Sequence, residues 1–281
     1  MRQIQNKQRQ AINRYNSAVR RHNQNVRTAV NKYNQAVRAH NARVRANRQR
    51  LKTELARLSR QTTSTRHVTF RTSVNTMQQA YSRLDQHADS RSRNPEFNYF
   101  VDLSEREAAN AASVANALLG ETDEQQQDQL DVAPLGNALA EISPELHDRW
   151  TGAVFALNPA NPDAARHFCT SAREIFTQVL EISAPDDDVR HLLQDCAFTD
   201  QGRPTRRSKV RFLLQKKQLM DQALEDFVDA DIDNVVELFR VFNDGTHGSA
   251  GTFDHAQLGS IRKRVEDGIM FLTQIAAPVD A

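Results

Sequence analysis

Acidic residues are nearly missing from the first quarter of this 281-residue chain. Residues 1–71 hold 18 Lys and Arg and a single acid, Glu54, a formal +17; the remaining 210 residues carry 19 basic and 34 acidic groups, or −15. The overall +2 conceals that division. Cysteine is also scarce: Cys169 and Cys196 stand alone, without C-x-x-C spacing or nearby histidine pairs. That excludes a disulfide framework or a zinc ribbon, and both are expected as free thiols on apolar helical faces. No run of about 18 apolar residues exists and the N-terminus has no apolar h-region, so neither a membrane span nor secretion is expected. A reducing, cytoplasmic setting is expected. No G-x-x-x-x-G-K or G-x-S-x-G motif is present, which removes the main support for ATPase and esterase chemistry. Long period-two alternation is lacking too, so no sheet is expected.

What remains is helix. Tyr15-Asn16-Ser17-Ala18-Val19-Arg20-Arg21-His22-Asn23 recurs as Tyr33-Asn34-Gln35-Ala36-Val37-Arg38-Ala39-His40-Asn41, 18 residues on. Eighteen residues are about five α-helical turns, so the repeat returns to one face. Ile12, Val19, Val26 and Tyr33 step by seven, and Val30, Val37, Val44, Leu51 and Leu58 continue on the adjoining line. Together they form a narrow coiled-coil seam, interrupted by Asn16, Asn23, His40 and Asn47. Residues 1–60 are therefore expected as a basic rod roughly 85 Å long. Its cations, among them Arg20, Arg21, Arg38, Arg43 and Arg45, lack the usual i,i+4 acids. They suit a polyanion, an acidic protein groove or the acidic half of the same chain.

Beyond the rod, Gln61 to Thr69 reads as a hinge, and Phe70, Val74, Met77, Tyr81 and Leu84 as the stripe of a second helix, so residues 61–90 form one segment. Residues 91–142 read as a helical linker region: residues 89–102, with Asn94-Pro95, form a linker, and Ser104-x-x-Glu107 is a capping box opening an Ala-rich helix that stops at Gly120. Residues 143–281 read as a helical domain. Ser143-Pro144 opens a helix to about Leu157, Asn161-Pro162 another to about Ile182, Thr205 caps a third, and Thr252 caps the last, with Leu258, Ile261, Val265, Ile269 and Leu272 inward. The acidic groups Asp186-Asp187-Asp188, Asp229/Asp231/Asp233 and Asp85-x-His87-x-Asp89 do not present ligands on one face, and the first is expected in a turn. No metal and no cofactor are expected.

The chemistry-bearing stretch is Leu238 to Gly248. Asp231 or Asp233 caps an apolar helix with Ile232, Val235, Val236, Phe239 and Phe242 at 3–4 spacing, Asn243-Asp244-Gly245 breaks it, and His247 follows in a turn. An arginine brings fixed charge and a bidentate fork for phosphate, and a histidine exchanges protons near neutrality. Arg240 and His247 thus suit phosphodiester cleavage, although Arg also complements a helix C-terminus and His can cap carbonyls. Arg173 and Glu174 are placed to position phosphate or histidine, or to make an ordinary salt-bridged face. Arg206, Arg207, Lys209 and Arg211, four cations in six residues with few acids nearby in sequence, are candidates for phosphate contact.

Arg240 and His247 at the end of a penultimate helix resemble the R-x(4–6)-H motif of HEPN-type ribonucleases. Phe242-Asn243-Asp244-Gly245-Thr246-His247-Gly248 looks like the N-x-G-T-H-[GS] signature of predicted nucleases encoded beside prokaryotic Argonaute-like (pPIWI) genes. Two further segments are similar: Asn161 to Phe168 with Ser171 to Glu174, and Pro204 to Phe212. The likeness spans roughly residues 145–275. It implies an all-α fold in which a HEPN-like bundle follows the long helix, with catalytic Arg240 and His247 supported by Asn243, Asp244, Thr246, Arg173 and Glu174. It further implies dimerisation of that bundle and metal-independent cleavage of RNA in an anti-phage or toxin-type system. The rod would then serve self-association, or recruit substrate or a defence-system partner. The rival is a non-catalytic scaffold or a nucleic-acid-binding accessory subunit.

Overall fold

The computed structural model describes residues 2–60, 68–91, 94–118, 133–158, 161, 163–246 and 255–277. These residues form helices α1 (Arg2–Arg60), α2 (Val68–Arg91), α3 (Pro95–Leu118), α4 (Ala133–Ile142), α5 (Pro144–Ala156), α6 (Ala164–Ser183), α7 (Asp186–Leu192), α8 (Arg206–Lys216), α9 (Gln222–Thr246) and α10 (His255–Ala276). The only extended pairing among them is one isolated bridge between Phe198 and Pro204, so the fold is all-α. Of the hinge expected at 61–69, Val68 and Thr69 belong to α2 instead, and residues 61–67, like the stop at Gly120, the cap at Thr252 and His247 itself, lie outside the described residues.

Two compact units divide the chain, residues 1–49 and 50–281. The first unit is a stretch of α1. Its seam residues from Ile12 to Val37 stay open to solvent, from Val37 and Val19 at 38% and 37% to Tyr33 at 70%, and Val44 is half-buried. Arg20, Arg21, Arg38, Arg43 and Arg45 are all exposed. α1 continues to Arg60, and Leu51 and Leu58, the last two members of the seven-step row, are buried in the second unit.

The second unit is a bundle. Phe70, Val74, Met77, Tyr81 and Leu84 all point into the core, as the stripe required, and α2 packs chiefly on α9 and α3. α10 packs on α3 and α6, with Ile261, Val265, Ile269 and Leu272 buried. α6 packs on α5 and α9, and α8 on α9. Burying this many Leu, Val, Ile and Phe side chains, each contributing about 1.5–3 kcal/mol, is what holds helices whose individual propensities are modest. Ser143 caps α5 by accepting the Glu145 N–H at 3.3 Å, with Pro144 at its first position. Thr205 caps α8 by accepting the Ser208 N–H at 3.2 Å.

Several local expectations are corrected. The linker expected at 89–102 is mostly helical, since α2 runs to Arg91 and α3 starts at Pro95, and Asn94 is the cap of α3: its Oδ1 accepts the N–H groups of Glu96 and Phe97 at 3.0 and 3.3 Å. Ser104 and Glu107 therefore sit in mid-helix and make no capping box; Ser104 donates to the Phe100 carbonyl and Glu107 faces the core. The region read as a helical linker supplies α3, a wall of that core. Asp221, rather than Asp231 or Asp233, caps α9, accepting from Ala223 and Leu224 at 2.9 and 3.2 Å. α9 does not break at Asn243-Asp244-Gly245 but stays helical to Thr246. The propensity cost of Asn, Asp and Gly, at most about 1 kcal/mol each, is tolerated in a last turn anchored by buried Leu238, Phe239 and Val241. Asp186, Asp187 and Asp188 form the first turn of α7 instead of a turn, where carboxylates complement the helix dipole. Cys196 is half-buried in the connection between α7 and α8, off any helical face, while Cys169 is buried and burial pushes its thiol pKa up.

Candidate functional site

A cleft of about 350 Å³ opens where α6, α8 and α9 meet. One wall is a face of α6, with Arg173, Phe176, Thr177 and Leu180 at helical spacing; the other is a face of α9, with Ile232, Val236, Phe239 and Arg240. Arg206, the first residue of α8, completes it. The tight connection before α8 sets Arg206 in place: the N–H of Gly202 reaches the Thr199 carbonyl at 2.8 Å, and that of Thr205 the Ala197 carbonyl at 2.9 Å. Gly202 has φ +72°, a left-handed conformation that a side chain would strain.

Three arginines, at positions 173, 206 and 240, thus converge on an apolar floor. They differ in their partners. Arg206 donates to Asp229 at 3.0 Å and to Asp233 at 2.6 Å, one turn apart on α9. Burial opposes its charge, and the bonds to Asp233 and Asp229 more than offset this, raising its pKa. Arg240 is two-thirds exposed and pairs with Glu237 on its own helix. Arg173 is exposed and, among the described residues, has no carboxylate partner. Glu174, beside it, is exposed and is not part of the cleft wall.

The cationic cluster of α8 does not stand free, as its sequence neighbourhood suggested. Its acids come from α9 and, for Lys209, from α7. Arg207 bonds Glu225 at 2.9 Å and also Asp226, and Arg211 approaches Glu225 at 4.0 Å. Lys209 is buried, donating to the Ala184 carbonyl at 2.9 Å and pairing with Asp186 at 2.6 Å. Asp186 also accepts from Arg203, and those two bonds hold its pKa down at about 2. Lys209 is accordingly a structural residue that ties α8 to the start of α7 and offers no charge to a ligand. Arg166 and His167 turn back onto Asp163 at 2.8 and 3.6 Å. The side chains of Asn243, Asp244 and Thr246 are not among those described, and His247 is the next residue in the sequence after α9 ends.

The sequence reading missed a second constellation altogether. Arg264 of α10 is fully enclosed and donates to Asp231 at 2.5 Å, Glu107 at 3.1 Å and Asn234 at 3.1 Å. Asn234 in turn donates to Ser73 of α2 at 2.9 Å, and Asn110 of α3 to Asp267 of α10 at 2.7 Å. Burial, then the neighbouring Asp267, pushes the Glu107 carboxyl up to about 8. Burial raises the Asp231 carboxyl as well, opposed by the adjacent Arg264 charge and hydrogen bond, so both carboxylates facing Arg264 are pushed toward their neutral forms. A signal was present: Arg264 lies three residues after Ile261 and eight before Leu272, on the inward stripe. The network joins α2, α3, α9 and α10, and it fixes the rotation of α9, whose Ile232, Val236 and Phe239 face the cleft.

No group of three or more His, Cys, Asp or Glu among the described residues is arranged to hold a metal, and no described helix is long and apolar enough to cross a membrane. Residues 139–272 match the model of a family described as predicted pPIWI-associating nuclease. That span contains every residue of the cleft and excludes the basic rod. No curated protein and no solved structure matches the chain.

Proposed function

We propose that this chain is a metal-independent endoribonuclease of HEPN type, acting with a pPIWI-like partner in a prokaryotic anti-phage or toxin-type system. The observation that carries this reading is the convergence of Arg173, Arg206 and Arg240 on one cleft inside the segment that matches the predicted nuclease family. Arg240 is well exposed and its one ion pair among the described residues is with a neighbour on its own helix, so its guanidinium can turn to a phosphate at little cost. In the proposed reaction the 2′-hydroxyl of RNA attacks the adjacent phosphorus, the 5′-oxygen leaves, and a 2′,3′-cyclic phosphate forms. His247 moves the proton, and Arg240 and Arg173 stabilise the charge that grows on the phosphoryl oxygens. The need for a 2′-hydroxyl restricts the substrate to RNA.

The test is cleavage of RNA by the full chain, followed on a gel. His247→Ala and Arg240→Ala should each lower the rate by about 10²–10⁴-fold with unchanged helical content. Products should end in a cyclic phosphate, and chelators should leave the rate unchanged. Cleavage that survives both substitutions and stops on chelation would sink the reading.

A second reading has its own observation. The seam of α1 is exposed over residues 12–37, and the α8 cations are already matched by acids of α9 and α7. Both features fit a scaffold whose rod self-associates or recruits a nucleic acid. If the rod holds nucleic acid, affinity should fall steeply between low and physiological salt, and Arg20, Arg21, Arg38, Arg43 and Arg45 changed together to Gln should flatten that dependence. Full-chain binding that ignores salt would favour a protein partner.

A further inference from the structure

The floor of the cleft is apolar, which phosphate binding alone does not require. Phe176, Leu180, Ile232, Val236 and Phe239 supply it, on two helices. Water over such a surface is readily displaced by a flat, weakly hydrated group.

The three guanidinium groups around that floor are not equivalent. Arg206 is held at 3.0 and 2.6 Å by Asp229 and Asp233, so its charge is matched and its plane is pinned. Such a group is a poor phosphate ligand and a good flat surface, because a guanidinium stacks on π systems through its face while its edge donates to carboxylates. Arg173 has no carboxylate partner among the described residues, and Arg240 has only the exposed pair with Glu237 among them. A phosphate would therefore sit toward these two.

We infer that the cleft takes one unpaired nucleotide, with its phosphate between Arg173 and Arg240 and its base on the apolar floor beside Arg206. The nuclease reading is needed only to identify the ligand as nucleic acid; the division of roles among the arginines comes from their partners. A cleft of about 350 Å³ lies at the small end of ligand sites, roughly 300–1,000 Å³, and suits one nucleotide rather than a duplex. In a duplex both faces of a base are already stacked, so only a single-stranded or splayed-out base can reach the floor. The consequence is selection of looped or single-stranded RNA by the cleft itself, independent of the rod.

The experiment compares adenosine 5′-monophosphate, ribose 5-phosphate and inorganic phosphate as probes of the full chain, by ligand-observed NMR titration. Adenosine 5′-monophosphate should bind about tenfold more tightly than ribose 5-phosphate. Arg206→Lys, which keeps the charge opposite Asp229 and Asp233 but removes the plane, should erase most of that advantage and leave inorganic phosphate unaffected. Val236→Thr, a near-isosteric change that makes the floor polar, should act in the same direction. Arg173→Ala and Arg240→Ala should weaken all three probes. Equal affinities for the three probes, still lowered by Arg173→Ala and Arg240→Ala, would overturn the base site and leave the phosphate site standing. Tight nucleotide binding indifferent to Arg206→Lys and Val236→Thr would also overturn it. Absence of arginine-dependent binding of any probe would overturn both this inference and the placement of nuclease chemistry in this cleft.

Discussion

The guanidinium of Arg264 lies 2.5 Å from the carboxylate of Asp231, and neither side chain reaches solvent. The pair sits at the junction of α9 and α10, on the side of α9 away from the cleft, with Glu107 and Asn234 completing the guanidinium's bonds.

Removing one partner should be costly. Arg264→Met strands the Asp231 carboxylate in the core, and Asp231→Ala strands the guanidinium. Breaking a buried pair in this way typically costs about 3–5 kcal/mol, a large share of the roughly 5–15 kcal/mol that holds a domain. Urea unfolding followed by circular dichroism should show either variant shifted to a much lower midpoint, while the double change to apolar residues should recover part of the loss. A single variant as stable as the parent would mean that the network contributes little.

The pH dependence of stability follows from Glu107, whose carboxyl is held at about 8 in the fold against an ordinary value of 4.5. Between those values the folded chain keeps a proton that the unfolded chain has released. Stability from this group is therefore full below pH about 4.5 and is lost as pH rises toward 8. Urea midpoints at mildly acidic pH should exceed those at pH 8, and Glu107→Gln, which cannot ionise, should flatten the trend. A profile that Glu107→Gln leaves unchanged would assign the slope to other groups.

Gly268 offers a test of packing by sign. In mid-helix, Gly→Ala ordinarily stabilises by about 0.5–1 kcal/mol. Here an added Cβ would meet Arg264 Nη1 at 2.9 Å and Val235 Cγ2 at 3.0 Å, both enclosed. Gly268→Ala should therefore destabilise, by about 1–3 kcal/mol as overpacking does. A raised melting temperature would show that α9 and α10 can move apart.

The exposed seam of α1 predicts assembly. Val30 and Val37 are 50% and 38% exposed. Changing both to Asp should alter the mass measured by sedimentation at micromolar concentration if the seam pairs with a second copy; an unchanged mass would argue for a different partner. Deleting residues 1–60 is a poorer experiment than it looks from the sequence, because Leu51 and Leu58 belong to the core of the second unit.

Patterns that repeat within a few turns were legible without coordinates. The long helix, the stripe from Phe70 to Leu84, the caps Ser143 and Thr205 and the inward face of α10 depend on periodicity and on hydrogen bonds between near neighbours, so the amino-acid order alone determined them. Long-range pairing was decided only by the fold. Glu107 and Arg264 meet across 157 residues and Arg206 and Asp233 across 27. A capping box at Ser104 and Glu107 and an unpaired cationic cluster at Arg206 to Arg211 are sound inferences from spacing; the first fails because α3 already starts after Asn94, leaving Ser104 to bond Phe100 and Glu107 to meet Arg264, and the second because α9 and α7 supply the acids. The apolar floor between α6 and α9 is likewise a product of packing: each face reads as ordinary core in its own helix, and its meeting with three arginines exists only once α6, α8 and α9 come together.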